Sequence, residues 1–167
     1  MKKTGIFYGS TTGTTKDVAY EIAKTLGVAE ADVHNVAETA PSAVADYDVL
    51  IFGASTWGAG DLQEDMDTFI DGVQALDLRD KEVAVFGCGD ESMSDTFCNS
   101  VGEMYHRLHP THAEFIGRFY NDGYEYKHSD SDFKGLVLGL CIDNVNRPDE
   151  TPARIKEWCD ELKKEIC

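Results

Sequence analysis

The residues best suited to hold a ligand lie in three short loops. The first is Gly9-Ser10-Thr11-Thr12-Gly13-Thr14-Thr15, in which five of seven residues carry a hydroxyl. It follows an apolar run, Ile6-Phe7-Tyr8, and leads into Val18, Ile22 and Leu26, spaced as one face of a helix that Gly27 ends. A loop running from a strand to a helix N-terminus offers free N–H groups and the positive end of a dipole, which together favour an anion. Hydroxyls add further donors. The loop lacks the Lys-Ser/Thr ending that a nucleoside triphosphate with magnesium needs, and it lacks G-x-G-x-x-G, the mark of a dinucleotide site. No Arg or Lys lies inside it, and Lys16 comes only after it. Neutral donors of this kind suit a monoester phosphate, and five hydroxyls exceed what a helix cap requires.

The second loop is Ala54-Ser55-Thr56-Trp57-Gly58-Ala59-Gly60-Asp61-Leu62. Its Trp is flanked by small residues that cannot bury it, so the indole is free either to stack on a planar ligand or to fold back on its own domain. The third loop is Gly87-Cys88-Gly89-Asp90-Glu91-Ser92-Met93. Its glycines let backbone approach a ligand closely, and Asp90 adds a carboxylate for a polar ring edge. The same residues also read as a plain acidic turn.

The elements around these loops alternate. Val49-Leu50-Ile51-Phe52 and Val83-Ala84-Val85-Phe86 are unbroken apolar runs, as in parallel strands covered on both faces. Val33 to Val36 reads as a weaker strand, and Phe115-Ile116 and Leu136 to Ile142 as strand pieces. Met66, Phe69, Ile70 and Val73 mark one helix, and Phe97, Val101, Met104, Tyr105 and Leu108 another, stopped by Pro110. A last helix starts at Thr151 as N-cap with Pro152 in its first turn, and carries the stripe Ile155, Trp158, Cys159, Leu162, Ile166. The pattern predicts five βα units in an α/β, doubly wound sheet with helices on both faces. Such sheets bind ligands beyond the carboxyl ends of their strands, which is where the three loops fall.

With 167 residues, 42% of them hydrophobic and 28% charged, the chain is expected to be one globular domain. No apolar run is long enough to span a bilayer, and the start of the chain lacks the features of a secretory signal. Fifteen basic against 31 acidic side chains leave a formal charge of -16, which repels nucleic acid and anionic lipid and reads either as steering toward a basic partner or as a surface that only keeps the chain in solution. The five cysteines, Cys88, Cys98, Cys141, Cys159 and Cys167, are odd in number and form no C-x-x-C pair, so a reducing cytoplasm is expected. Cys141 and Cys159 read as core, and Cys167 as a terminal thiol open to oxidative dimerisation. His106, His109 and His112 straddle Pro110 and read as a surface cluster at a helix end rather than a zinc site.

Taken together, the three loops resemble those of the flavodoxin family. Ser10 to Thr15 match T/S-x-T-G-x-T, Thr56-Trp57 with Gly60-Asp61-Leu62 match T-W followed by G-[DE]-L, and Gly87-Cys88-Gly89-Asp90 match G-x-G-D. The likeness runs along the whole chain. The aromatic stretch Arg118 to Lys134 resembles the insertion of long-chain members, and its rings read either as a partner surface or as packing. The resemblance implies a single flavodoxin-like domain over residues 1–167, a five-stranded parallel sheet of order 2-1-3-4-5, and a last strand split by the insertion. It implies non-covalent FMN and no catalysis: a low-potential one-electron carrier passing between quinone, semiquinone and hydroquinone states to serve redox enzymes.

Carried over residue by residue, Ser10, Thr11, Thr12, Gly13, Thr14 and Thr15 hold the phosphate. Trp57 covers one ring face, and Asp90 with the backbone near Gly89 meets the pyrimidine edge. Ser55, Thr56, Gly58, Cys88 and Cys98 complete the expected cofactor contacts, and Met93 stands where the family places a ring-stacking Tyr. In the family the peptide after the Trp rotates so that its carbonyl accepts the flavin N5 proton, and here that peptide is Gly58–Ala59. Asp61, Glu64, Asp65, Asp67, Asp90, Glu91 and Asp95 lie in or near the loops. One like charge about 10 Å from a reduced flavin costs roughly 1.7 kcal/mol at an effective dielectric near 20. The same charges would face basic patches on reductases and acceptor enzymes, with the carrier a cytoplasmic monomer. A quinone-reductase-like flavin enzyme is the competing reading. A phospho-receiver domain fits poorly, because the strand ending Gly53-Ala54-Ser55 lacks the required Asp.

Overall fold

A computed structural model of the chain describes residues 2–166, so the expectation for Cys167 lies outside the described residues. In chain order, β1 (Thr4–Gly9) leads to α1 (Thr14–Leu26), β2 (Val33–Asn35), β3 (Val49–Trp57), β4 (Asp61–Leu62) and α2 (Glu64–Val73). Then follow β5 (Glu82–Cys88), α3 (Asn99–Leu108), β6 (Glu114–Phe115), β7 (Asp132–Phe133), β8 (Leu136–Val137), β9 (Leu140–Ile142) and α4 (Thr151–Ile166). The main sheet runs β2-β1-β3-β5, and β6 and β9 both pair in parallel with β5. These two pieces share the fifth position, which gives the expected order with a split last strand.

Alternation along the central strands sorts their side chains into two cores. Ile6, Ile51 and Phe86 join α1 and α4 on one face, while Phe7, Leu50, Phe52 and Val85 join α2 and α3 on the other. Because both faces are covered, the strands need no polar side, which explains their unbroken apolar runs. The four helical stripes are buried as their spacing requires: Val18, Ile22 and Leu26 in α1, Met66, Phe69, Ile70 and Val73 in α2, Val101, Met104 and Leu108 in α3, and Ile155, Trp158, Cys159, Leu162 and Ile166 in α4. Among the described residues no helix is long and apolar enough to cross a membrane.

Three expectations need correction. The connection from β2 to β3 holds only 3-10 turns, Val36–Glu38 and Pro41–Asp46, so that unit lacks its α-helix. Pro41, with no N–H to donate, divides the segment into these two short turns. Leu136 and Val137 do not join the main sheet; they form a hairpin with Asp132 and Phe133, turned through Lys134 and Gly135 at positive φ. Thr151 is not an N-cap but lies inside α4 behind a short 3-10 turn, and its hydroxyl donates to Asn144 Oδ1.

The aromatic stretch is largely packing. Tyr124 and Tyr126 lie against Phe97, Phe119 is buried, Tyr124 donates its hydroxyl to the Cys141 carbonyl, and the Arg154 guanidinium sits 3.9 Å from the Tyr124 ring centre. Of the histidines, His106 and His109 contact Tyr105, and His109 also stacks on Phe115.

β3 continues past its apolar block through Gly53, Ala54 and Ser55. Gly53 lies opposite Phe86 on β5, and a methyl placed there would come within 1.9 Å of the Phe86 ring. The ring fills the space a side chain would take. Gly53→Ala is expected to cost about 3 kcal/mol by overpacking, read from denaturant midpoints. A loss below ~1 kcal/mol would show that Phe86 can move aside at little cost.

Candidate functional site

Parallel pairing brings the ends of the central strands to one edge. Gly9 lies opposite Ala54, Ser55 opposite Cys88, and Cys88 opposite Ile142. Four loops therefore leave the sheet side by side, and together they line a cleft of about 220 Å³.

The phosphate-type loop turns at Gly13, whose φ of 96° is in the left-handed region that favours glycine, and the Ser10 hydroxyl accepts the Gly13 N–H at 3.1 Å. No side chain caps α1, so its first-turn N–H groups are left for another acceptor. Thr12 and Thr14 line the cleft, whereas Thr15 is buried beneath the loop. Thr11 is already engaged, accepting from Gln63 Nε2 at 3.1 Å. Buried Gln63 also caps α2, its Oε1 accepting the Met66 N–H at 3.0 Å, and its own N–H donates to the Ser55 carbonyl at 3.1 Å. It thereby ties the first loop to the second.

On the second loop, Ser55, Thr56 and Trp57 line the cleft. Trp57 is 40% exposed, and its indole N–H donates to Ser55 Oγ at 2.9 Å. These residues are two apart on β3 and so share a face. The chain then turns: the Gly60 N–H returns to the Trp57 carbonyl at 3.1 Å, with Gly58 at φ 52°. A methyl at Gly58 would meet only Asp61 Oδ2 at 3.6 Å, so conformation rather than space calls for glycine there. Thr56 Oγ1 accepts the Ser100 N–H, and the Ser100 hydroxyl donates to the Ala54 carbonyl, both at 2.9 Å, which fixes the start of α3 on β3.

From the third loop, Cys88, Gly89 and Asp90 line the cleft. Burial pushes the Cys88 thiol up to about 12 and raises the Cys98 thiol well above its ordinary value, so both stay protonated at neutral pH. Cys98 stands behind the loop rather than in the cleft: a methyl on Gly89 would meet its backbone N at 2.9 Å and its Sγ at 3.0 Å. Asp90 Oδ1 accepts the Ser92 N–H at 2.9 Å and Asn146 Nδ2 at 2.7 Å. The Ser92 hydroxyl, with Asn146, holds the carboxyl below its ordinary range. Met93 is not drawn into the lining; its side chain is 52% exposed and its N–H closes a turn onto the Asp90 carbonyl.

The fourth loop, after β9, has no counterpart in the sequence reading. Asn144 and Val145 line the cleft beside Asp90. Asp143 organises them from a fully buried position. Its carboxylate accepts the N–H groups of Val145 and Asn146 at 2.9 Å, Asn146 Nδ2 at 2.9 Å, and the Glu91 N–H of the third loop at 3.0 Å. Arg147 adds an ion pair to Glu91 at 2.6 Å. The loop lacks glycines and hydroxyl runs, so no motif flags it. Its one signal is position: it follows a strand of the same sheet edge.

The fold and cleft define a doubly wound α/β protein with a ligand site at the carboxyl edge of its sheet. The family model of flavodoxins matches residues 6–158, and the chain belongs to the flavodoxin family. It is 36% identical over 169 residues to a flavodoxin of Haemophilus influenzae, covering 100% of this chain and 97% of that protein. It is also 36% identical to flavodoxin 1 of Escherichia coli K12, covering 99% and 96%. Among solved structures, Fusobacterium nucleatum flavodoxin bound to flavin mononucleotide superposes with a TM-score of 0.90, at 28% identity and 99% coverage of both chains.

Asp143→Ala would leave several buried N–H donors unpaired, at ~1–3 kcal/mol each before relaxation, so a loss of about 2–4 kcal/mol is expected in denaturant unfolding. An unchanged midpoint would show that the fourth loop is not held by this carboxylate.

Proposed function

We propose that this chain is an electron carrier that binds one FMN in the four-loop cleft and serves redox enzymes without catalysing a reaction itself. The observation that carries the reading is the convergence on one cleft of an uncapped helix N-terminus with free hydroxyls and a half-exposed Trp. The residues fit the group. The α1 N–H groups with Thr12 and Thr14 would hold a phosphate without any cationic side chain, and Ser10 and Thr11 shape that loop. Trp57, steadied by Ser55, would cover the ring, with Gly89 and Asp90 at its polar edge. When bound, FMN supplies two successive one-electron steps.

The protein's own contribution is placement, proton acceptance and field. Gly58 already adopts a left-handed φ and has open space around it. The Gly58–Ala59 peptide is therefore free to rotate and offer its carbonyl as acceptor to a flavin proton. Asp61, Glu64 and Asp95 are exposed near the cleft, whereas Asp67 is paired with Arg107 and Glu91 with Arg147. The unpaired acids disfavour the addition of a second negative charge and would face a basic patch on a partner. Association is then expected to slow as salt rises. The split fifth strand supports the long-chain type. The four cysteines among the described residues are free and buried, which supports a reducing cytoplasm. Among the described residues, exposed large apolar side chains lie on separate elements apart from the hairpin pair Phe133 and Leu136 and the cleft residues Trp57 and Val145, which supports a monomer.

Anaerobic reductive titration of the FMN-loaded chain tests the reading: two separated one-electron potentials are expected, with no oxidation of NAD(P)H by the protein alone. One two-electron step, or turnover of NAD(P)H, would point instead to a reductase. A Val at position 58 strains the left-handed turn by ~1–2 kcal/mol, so Gly58→Val is expected to narrow the gap between the potentials by about 60 mV. An unchanged gap would remove peptide rotation from the account.

A further inference from the structure

We infer that Val145 covers the face of the flavin ring opposite Trp57, in place of the third-loop residue Met93. The inference rests on the reading of the cleft as an FMN site.

Strand order supplies the spacing. Trp57 ends β3, Val145 follows β9, and β5 lies between, with Ser55, Cys88 and Ile142 in register across the three. Two strand spacings amount to ~9–10 Å. A planar ring in van der Waals contact on both faces needs ~7–8 Å between the covering groups. Loops two strands apart can therefore hold one ring between them, also where the middle loop brings no aromatic residue to its face. Met93 belongs to that middle loop.

Exposure and rigidity point the same way. Met93 and Val145 are both exposed apolar side chains, at 52% and 69%, but only Val145 lines the cleft. A single exposed Val is ordinary on a protein surface. This one sits on a loop held from both sides. Buried Asp143 accepts its N–H and that of Asn146, and the Thr151 hydroxyl of α4 donates to Asn144 Oδ1 next to it. Its backbone is thus positioned before any ligand arrives, which lowers the ordering cost of binding. Contact with a flat ring would remove Val145 from water without moving the loop.

The test is titration of the full-length chain with FMN, followed by flavin absorption and fluorescence. The wild type comes first: if it binds no FMN, the functional reading fails, and this inference falls with it. If it binds, Val145→Gly is expected to weaken FMN by roughly three- to tenfold, the share of one partly buried aliphatic side chain. Val145→Tyr is expected to keep or tighten binding and to shift the visible flavin bands through ring stacking, a change that a purely structural role would not produce. Met93→Ala is expected to stay within about twofold of wild type. Affinities and spectra unchanged in both Val145 variants would overturn the inference, as would a larger loss in Met93→Ala than in Val145→Gly. Both positions are exposed and lie in loops, so the variants should fold.

Discussion

Everything at the site depends on parallel pairing in one register. β1, β3, β5 and β9 run the same way and are aligned near their carboxyl ends, so Gly9, Ala54, Gly87 and Cys141 form one row across the sheet. A shift of one residue in any of these strands would exchange its two faces, moving Ile51 or Phe86 out of one core and Phe52 or Val85 out of the other. The cores therefore set the register, and the register sets which loop residues meet. The glycines complete the arrangement: Gly53 admits the Phe86 ring, and Gly89 admits Cys98.

Buried polar side chains then fix the loops that the strands deliver. Gln63 ties the first loop to the second, Ser100 binds α3 to the end of β3, and Asp143 joins the third loop to the fourth. Each is buried and satisfied by hydrogen bonds, so loosening any of them leaves an unpaired group in a dry setting. Groups left without such partners face the cleft: the first N–H groups of α1, the hydroxyls of Thr12 and Thr14, and the indole face of Trp57. A rigid frame around uncommitted donors is what a tight, reversible cofactor site requires.

The parts of this design that follow local rules were legible in the sequence. Hydroxyls and glycines between a strand and a helix, unbroken apolar runs, and 3.6-residue stripes each have one simple cause. The unread parts depend on distant contacts. Asp143 looks like any turn Asp until β9 returns to β5 beside the third loop. Gln63 looks like a helix cap until Thr11 lies against it. Leu136 and Val137 have the composition of a sheet strand, yet the turn at Lys134 and Gly135, both at positive φ, folds them back onto Asp132 and Phe133. Thr151 has the type and place of an N-cap, but Asn144 takes its hydroxyl.

The most direct test of the four-loop account is calorimetric titration of the flavin-free chain with FMN and, separately, with riboflavin, which lacks the phosphate. The account predicts one FMN per chain, bound at least ~100-fold more tightly than riboflavin, since several charge-assisted hydrogen bonds of ~1.5–3 kcal/mol each depend on the phosphate. Equal affinities would contradict the assignment of the hydroxyl-rich loop, and no binding of either would contradict the site as a whole.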